Sequence, residues 1–205
     1  MDYAKIKKEA WEISNKNKWN IWKPILILAL ISGVLSSIIT GIFGDESAAG
    51  GLLNLVVSFA IMPASIGITK YVLNLIRGKS YGLDNLMEYY SNHLGTCLGL
   101  SIIISVLVCL GSIFFVIPGI ILGLMYAMAF TIFIDNDELS IKECMNKSKE
   151  MMNGYKANYF MFLLSFIGWI LLCLLIIPAI WVVPYIQTAE LLYYEKLKEK
   201  KKELN

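Results

Sequence analysis

The long apolar runs of this chain are almost free of charge. Residues 24–43, 51–70, 94–117, 119–134, 157–177 and 179–194 form six such stretches, in which Lys70 and Glu190 are the only Asp, Glu, Lys or Arg residues. Both fall near one end of their stretch, where a long side chain reaches water. Ionisable residues deep in a membrane segment mark ion paths and proton relays, so their scarcity argues against a self-contained proton- or sodium-coupled transporter. Cysteine pairs are missing too. Cys97, Cys109, Cys144 and Cys173 stand far apart, with no C-x-x-C unit, a poor spacing for a metal site; they read as packing thiols. There is one histidine, His93, and no Gly-rich phosphate loop, Ser/His/Asp set, H-E-x-x-H or dinucleotide fingerprint. The expectation is a non-enzyme with no cofactor, no metal and no nucleic-acid partner. The remaining catalytic candidate is a carboxylate–imidazole group of Asp84, Glu88 and His93.

Apolar residues make up 57% of the chain and charged residues 17%. Soluble domains carry about 45–50% and about 25%, so both departures point to a membrane. A crossing helix needs roughly 20 apolar residues, and the six stretches supply an all-α, polytopic helical bundle. The basic residues are fully segregated. All 18 Lys and Arg lie in 1–23, 70–79, 142–156 and 196–202. With six spans and the N-terminus inside, every one is internal and the outer segments hold none, as the positive-inside rule requires. Both termini are then expected in the cytoplasm, with the bundle in the cytoplasmic membrane. The first apolar run is longer than a signal-peptide core and is read as an uncleaved span. The first outer loop carries only Asp45 and Glu46.

Two apolar runs hold a proline in their middle, in "FFVIPGIILG" and "LLIIPAIWVV". As one helix, 94–134 would reach some 60 Å at about 1.5 Å per residue, twice the hydrocarbon thickness of about 30 Å. Each run must double back. Proline ends a helix and displaces its predecessor from the α region, so the turns are expected at Pro118–Gly119 and at Pro178. A re-entrant form of the two hairpins satisfies the lysine distribution equally. The remaining prolines, Pro63 in "IMPASIG" and Pro184 in "WVVPYIQT", interrupt the second and sixth stretches. Breaks at depth free backbone groups for a ligand, with Gln187 and Thr188 as further polar contacts. The plainer reading is that membrane helices tolerate proline.

The chain divides into a basic amphipathic segment at 1–23, a membrane domain at 24–194 and a basic tail at 195–205. Within the membrane domain, 140–153 is predicted as an interfacial helix. Ser140 and Glu143 have capping-box spacing, and Ile141, Cys144, Met145, Ser148, Met151 and Met152 share one face. It is expected to lie on the inner leaflet or under the bundle, as a connector whose apolar side touches lipid or as a partner-docking helix.

The segments "IPGI" (117–120), "DNDELS" (135–140), "SKEMMNGYK" (148–156), "LLSFIGWILL" (163–172) and "PYIQTAELLYYEKL" (184–197), with "RGKSYGLDNLMEYYSNHLGT" (77–96), resemble the bacterial DUF975 family. The resemblance implies a multi-pass membrane protein of low-GC Gram-positive bacteria, without a transferable activity. It also marks Pro118, Gly119, Asp135, Ser148, Gly154, Phe166, Gly168, Trp169, Pro184, Tyr185 and Tyr194 as signature positions. The expected role is a non-enzymatic accessory or scaffold subunit in envelope homeostasis or peptide export and immunity. Its expected partners are the lipid bilayer, a membrane or cytoplasmic protein, or further copies of itself. The alternative is a small permease or lipid-binding transporter using the proline-interrupted helices two and six.

Overall fold

A computed structural model describes residues 2–44, 46–82, 84–175 and 177–203; Asp45 and the side chain of Asp84 fall outside the described residues. All regular structure among the described residues is helical, without strands. Five helical segments are long and apolar enough to cross a membrane: Tyr3–Phe43, Ala48–Ile76, Leu94–Ile113, Val116–Asp135 and Lys156–Leu175. The region expected as a sixth span lies in a more polar helix, Ala179–Glu203, which is not among them.

The first hairpin pairs α1 (Tyr3–Phe43) with α2 (Ala48–Ile76). Between them Gly44 takes φ +81°, a left-handed conformation that costs glycine little, and its N–H closes on Thr40 O at 2.8 Å. Ser47 caps α2, and the Ser36 hydroxyl donates to Asn54 Oδ1 at 2.9 Å across the pair. Helix α1 kinks at Asn17 (φ −112°, ψ 16°), whose side-chain amide donates to Ile13 O. Helix α2 continues through Pro63 without a break, and so does the last helix through Pro184. The expected interruptions are therefore prolines carried inside continuing helices. The short α3 (Asp84–Ser91) packs along α2.

The second hairpin runs through α4 (Leu94–Phe114), α5 (Val116–Tyr126) and α6 (Ala129–Asp135). Its reversal sits at Phe115 (φ −160°, ψ 145°), ahead of the Pro118–Gly119 position expected from sequence. Pro118 instead occupies the first turn of α5, where backbone N–H groups have no intrahelical acceptor. Gly119 supplies no unusual dihedral. It allows close approach: a Cβ there would stand 2.0 Å from Ser112 Oγ, and one on Gly111 would stand 3.2 Å from the Gly119 backbone.

Helix α7 (Ile141–Met151) begins at a complete capping box of Ser140 and Glu143. It is followed by Gly154 at φ +80°. Its inner face touches protein. Ile141 lies against Gly99, Cys144 and Ser148 are fully buried, and the Ser148 hydroxyl enters the break between α5 and α6. There it donates to Met125 O at 2.9 Å and accepts from Met128 N–H at 3.3 Å. The buried part of this face is filled from within the chain, which leaves less of it for lipid or a partner than sequence suggested.

The third hairpin comprises α8 (Lys156–Leu164), α9 (Ile167–Leu172), a tight turn at Cys173–Leu175, Pro178, and α10 (Ala179–Glu203). The Pro178 carbonyl accepts from the Trp181 and Val182 N–H groups in the first turn of α10. Two apolar clusters form the core. One centres on Leu73, Leu100 and Phe133, the other on Phe162, Tyr185 and Tyr193. Away from them the hairpin ends expose bare apolar side chains, such as Ile42, Ile113 and Phe115, each at least 71% exposed. Such an unbroken apolar surface suits lipid rather than water.

Candidate functional site

The most elaborate polar construction is at the lysine-bearing end, where α2, α6 and α10 converge. Asp135 ends α6 and Arg77 caps α2. Arg77 Nη1 meets Asp135 Oδ1 at 2.7 Å, and Arg77 Nε donates to Glu195 Oε1 at 3.1 Å. The Tyr194 hydroxyl donates to Asp135 Oδ2 at 2.6 Å, and the Lys198 ammonium shares that oxygen. Asp135 is the hub, with a side chain only 11% exposed. Burial works against the charge on Arg77, but hydrogen bonds and attraction from Asp135 and Glu195 outweigh it and raise the pKa of the guanidinium above its ordinary value.

Beside this hub opens a cleft of about 550 Å³ between α6, α7 and α10, lined by Asp135, Asn136, Lys147, Glu150, Lys198 and Lys201 among others. A second cleft of about 460 Å³ shares Asp135 and Lys198 and continues over Arg77, Lys79, Glu195 and Lys202. Because Asp135 is already engaged by Arg77, Tyr194 and Lys198, the rim keeps an excess of positive charge. Lys147 makes no salt bridge among the described residues, and Lys200 and Lys201 lie over the Tyr155 ring. The arrangement suits recognition of an acidic group by charge. It brings no nucleophile and base together.

The same cleft is the foot of a polar face on α10. Gln187, Glu190, Tyr194, Lys198 and Lys201 recur at three- and four-residue steps and so share one side of the helix. Among the described residues Gln187 Oε1 and Thr188 Oγ1 are buried without hydrogen-bond partners, as are the hydroxyls of Tyr89 and Tyr193. Pro63 and Pro184 are buried in their helices. Gln187 and Thr188 thus sit about one turn from Pro184, whereas Pro63 lies in a different helix, α2.

Of the carboxylate–imidazole candidate, the Asp84 side chain lies outside the described residues, and Glu88 and His93 have different partners. Glu88 pairs with Lys70 at 2.7 Å, while His93 Nε2 faces Asp137 at 3.6 Å and packs on Tyr89 and Phe133. No group of three His, Cys, Asp or Glu suited to a metal occurs among the described residues. Cys97 and Cys144 are fully buried and all four cysteines are free. In the sequence Asp135 stands out only as a signature position of the resemblance, and its partners Arg77, Glu195 and Lys198 carry no assignment there. The signal present was the grouping of Tyr194, Glu195 and Lys198 within one turn of a single helix.

A family model described as a protein of unknown function, DUF975, matches residues 96–201, more than half of the chain. No curated protein and no solved structure matches. The matched region includes Asp135, Ser148, Tyr194 and Lys198; Arg77 precedes it.

Proposed function

The chain belongs to the DUF975 family, and from its geometry we propose that it is a non-enzymatic accessory or scaffold subunit that works at its cytoplasmic face. The observation behind this reading is the lysine-rimmed cleft fixed to the Arg77–Asp135–Tyr194–Lys198 network. Three helices are tied together where a cytoplasmic protein has access, and the rim offers positive charge to an acidic segment. Envelope homeostasis and peptide export or immunity are the settings such a subunit fits. The test is crosslinking in native membranes, followed by purification in mild detergent, of the wild type and of the double variant Lys147→Glu, Lys201→Glu. A stoichiometric partner with the wild type, lost with the double variant, is expected. A protein that emerges without a partner, or one whose partner ignores the charge reversal, removes this reading.

A second reading, a small permease or lipid-binding transporter, is favoured by the polar face of α10 and by the unpartnered Gln187 and Thr188. It predicts flux by the purified protein in liposomes, abolished by Gln187→Leu with expression intact. Absence of flux from the wild type counts against it.

A further inference from the structure

The depth of the third hairpin is fixed by its contacts with α1. Helix α1 has 41 residues, about 60 Å at 1.5 Å per residue, whereas the hydrocarbon core is about 30 Å thick. Only half of it crosses. Its second half, 24–43, carries no charge, and the 18-residue apolar window of α1 is 0% buried in the protein. Its first half carries Lys5, Lys7, Lys8, Lys16, Lys18 and Lys23. The crossing part is therefore 24–43, and the lysine-bearing half stays at or beyond one interface.

That charged half runs the length of the third hairpin. Tyr3 OH donates to Asn158 O at 2.9 Å, and Lys7 Nζ donates to Ser165 O at 2.9 Å and lies over Phe166. Trp11 packs on Trp169 and Tyr185. Lys18 stands over the Trp181 ring at 4.4 Å, and the Trp22 indole N–H donates to Ile180 O at 2.7 Å. The reversal at Pro178 is thus level with Lys18 and Trp22, at the interface through which α1 enters the hydrocarbon. From Trp22 to Phe43 the helix has about 30 Å still to climb. If the third hairpin crossed the membrane, Lys5 to Lys18 would have to cross beside it and the bare segment 24–43 would stand in water.

We infer that the hairpin 156–183 does not cross the membrane but enters only the leaflet on the lysine-bearing side, with the acyl chains of that leaflet as its binding partner. Leu174, Leu175 and Ile177 at its tip are 80%, 67% and 69% exposed, a surface that water does not suit and lipid does. The first half of α1 backs the hairpin and holds Lys5, Lys8 and Lys16 outward, suited to anionic headgroups. The result is four crossings plus a wedge in one leaflet. Gln187 and Thr188 then lie near the interface rather than at the midplane, which weakens the permease reading. The inference is independent of the partner-docking cleft.

The test uses full-length protein in its native membrane, with the accessible Cys109 and Cys173 changed to Ala and the buried Cys97 and Cys144 retained. The pair Trp22→Cys and Ile180→Cys is treated with a short bis-maleimide; Ser36→Cys with Asn54→Cys in the first hairpin is the folding control. Single Lys16→Cys, Glu46→Cys and Ile177→Cys variants meet a membrane-impermeant maleimide in intact cells and in inverted vesicles. The expected result is bridging of both pairs, labelling of Glu46→Cys in intact cells, labelling of Lys16→Cys only in inverted vesicles, and no labelling of Ile177→Cys from outside. Labelling of Ile177→Cys or Lys16→Cys in intact cells overturns the inference. So does failure of the 22–180 pair to bridge while the 36–54 pair does.

Discussion

Replacing Asp135 with Asn removes the charge from the hub while keeping its shape. Asp135 binds Arg77 through one oxygen and Tyr194 and Lys198 through the other, with only 11% of its side chain exposed. Removing one partner of a buried ion pair costs roughly 3–5 kcal/mol. Two features reduce that. Arg77 keeps Glu195, and Lys198, with a side chain 32% exposed, recovers hydration on release, as exposed pairs do. A loss of about 3 kcal/mol remains. For a chain of this size each kcal/mol shifts the melting temperature by about 2–4 °C, so the expected drop is roughly 10 °C. The assay is thermal unfolding of detergent-purified protein followed by tryptophan fluorescence. Lys198→Ala should cost under about 1 kcal/mol. Tyr194→Phe removes one hydrogen bond to a charged acceptor, and should be clearly less than additive with Asp135→Asn because both act on the same contact. If Asp135→Asn is no more destabilising than Lys198→Ala, or adds fully to Tyr194→Phe, Asp135 is not the hub described.

Two further perturbations probe helix contacts elsewhere. Ser148→Ala leaves Met125 O and Met128 N–H unpaired in a buried break and should cost about 1–3 kcal/mol in the same melting assay; an unchanged melting temperature would show that α7 does not brace α5 and α6. Gly119→Ala places a methyl against Ser112, whose Cα and Cβ are both within 3.0 Å of its position, so the α4–α5 pair must separate at a cost of about 1–3 kcal/mol. The double variant Gly119→Ala, Ser112→Gly should restore much of the loss, and no restoration would mean that another contact fixes the spacing.

Sequence revealed the elements whose causes are local. The apolar runs, the capping box at Ser140 and the doubling back of both proline-bearing runs follow from composition and chain length. The exact reversal at Phe115 did not, because proline is also at home in a first helical turn and Gly119 answers to Ser112 across the pair rather than to its own dihedrals. The charged hub was hidden for a different reason. Arg77 and Glu195 are separated by 118 residues, and nothing near Arg77 distinguishes it from an ordinary basic residue at a span end. Ser148 shows both sides. Its place on the inner face of α7 was readable from periodicity, whereas its partners at Met125 and Met128 required the break between α5 and α6, which the uninterrupted apolar run 119–134 conceals.

The lysine census has a built-in blind spot. A hairpin returns the chain to the side from which it left, so a hairpin that crosses and one that stops in the first leaflet leave the same basic residues on the same side. Complete segregation of all 18 Lys and Arg therefore bears on sidedness and is silent on depth. Hydropathy is equally silent, because acyl chains of either leaflet reward the same apolar surface. Depth has to come from a ruler, and α1 is one. It carries charge along one half and none along the other, and its change of character at Lys23–Pro24 locates an interface to within about a helical turn. Contacts of Lys18 and Trp22 with Trp181 and Ile180, 158 residues away for Trp22, transfer that mark to the third hairpin. Among the described residues the second hairpin shows no such mark near its tip, where Gly111, Ser112 and Gly119 meet within the hairpin itself. A cysteine at Phe115 tested beside the one at Ile177 would extend the same ruler to it.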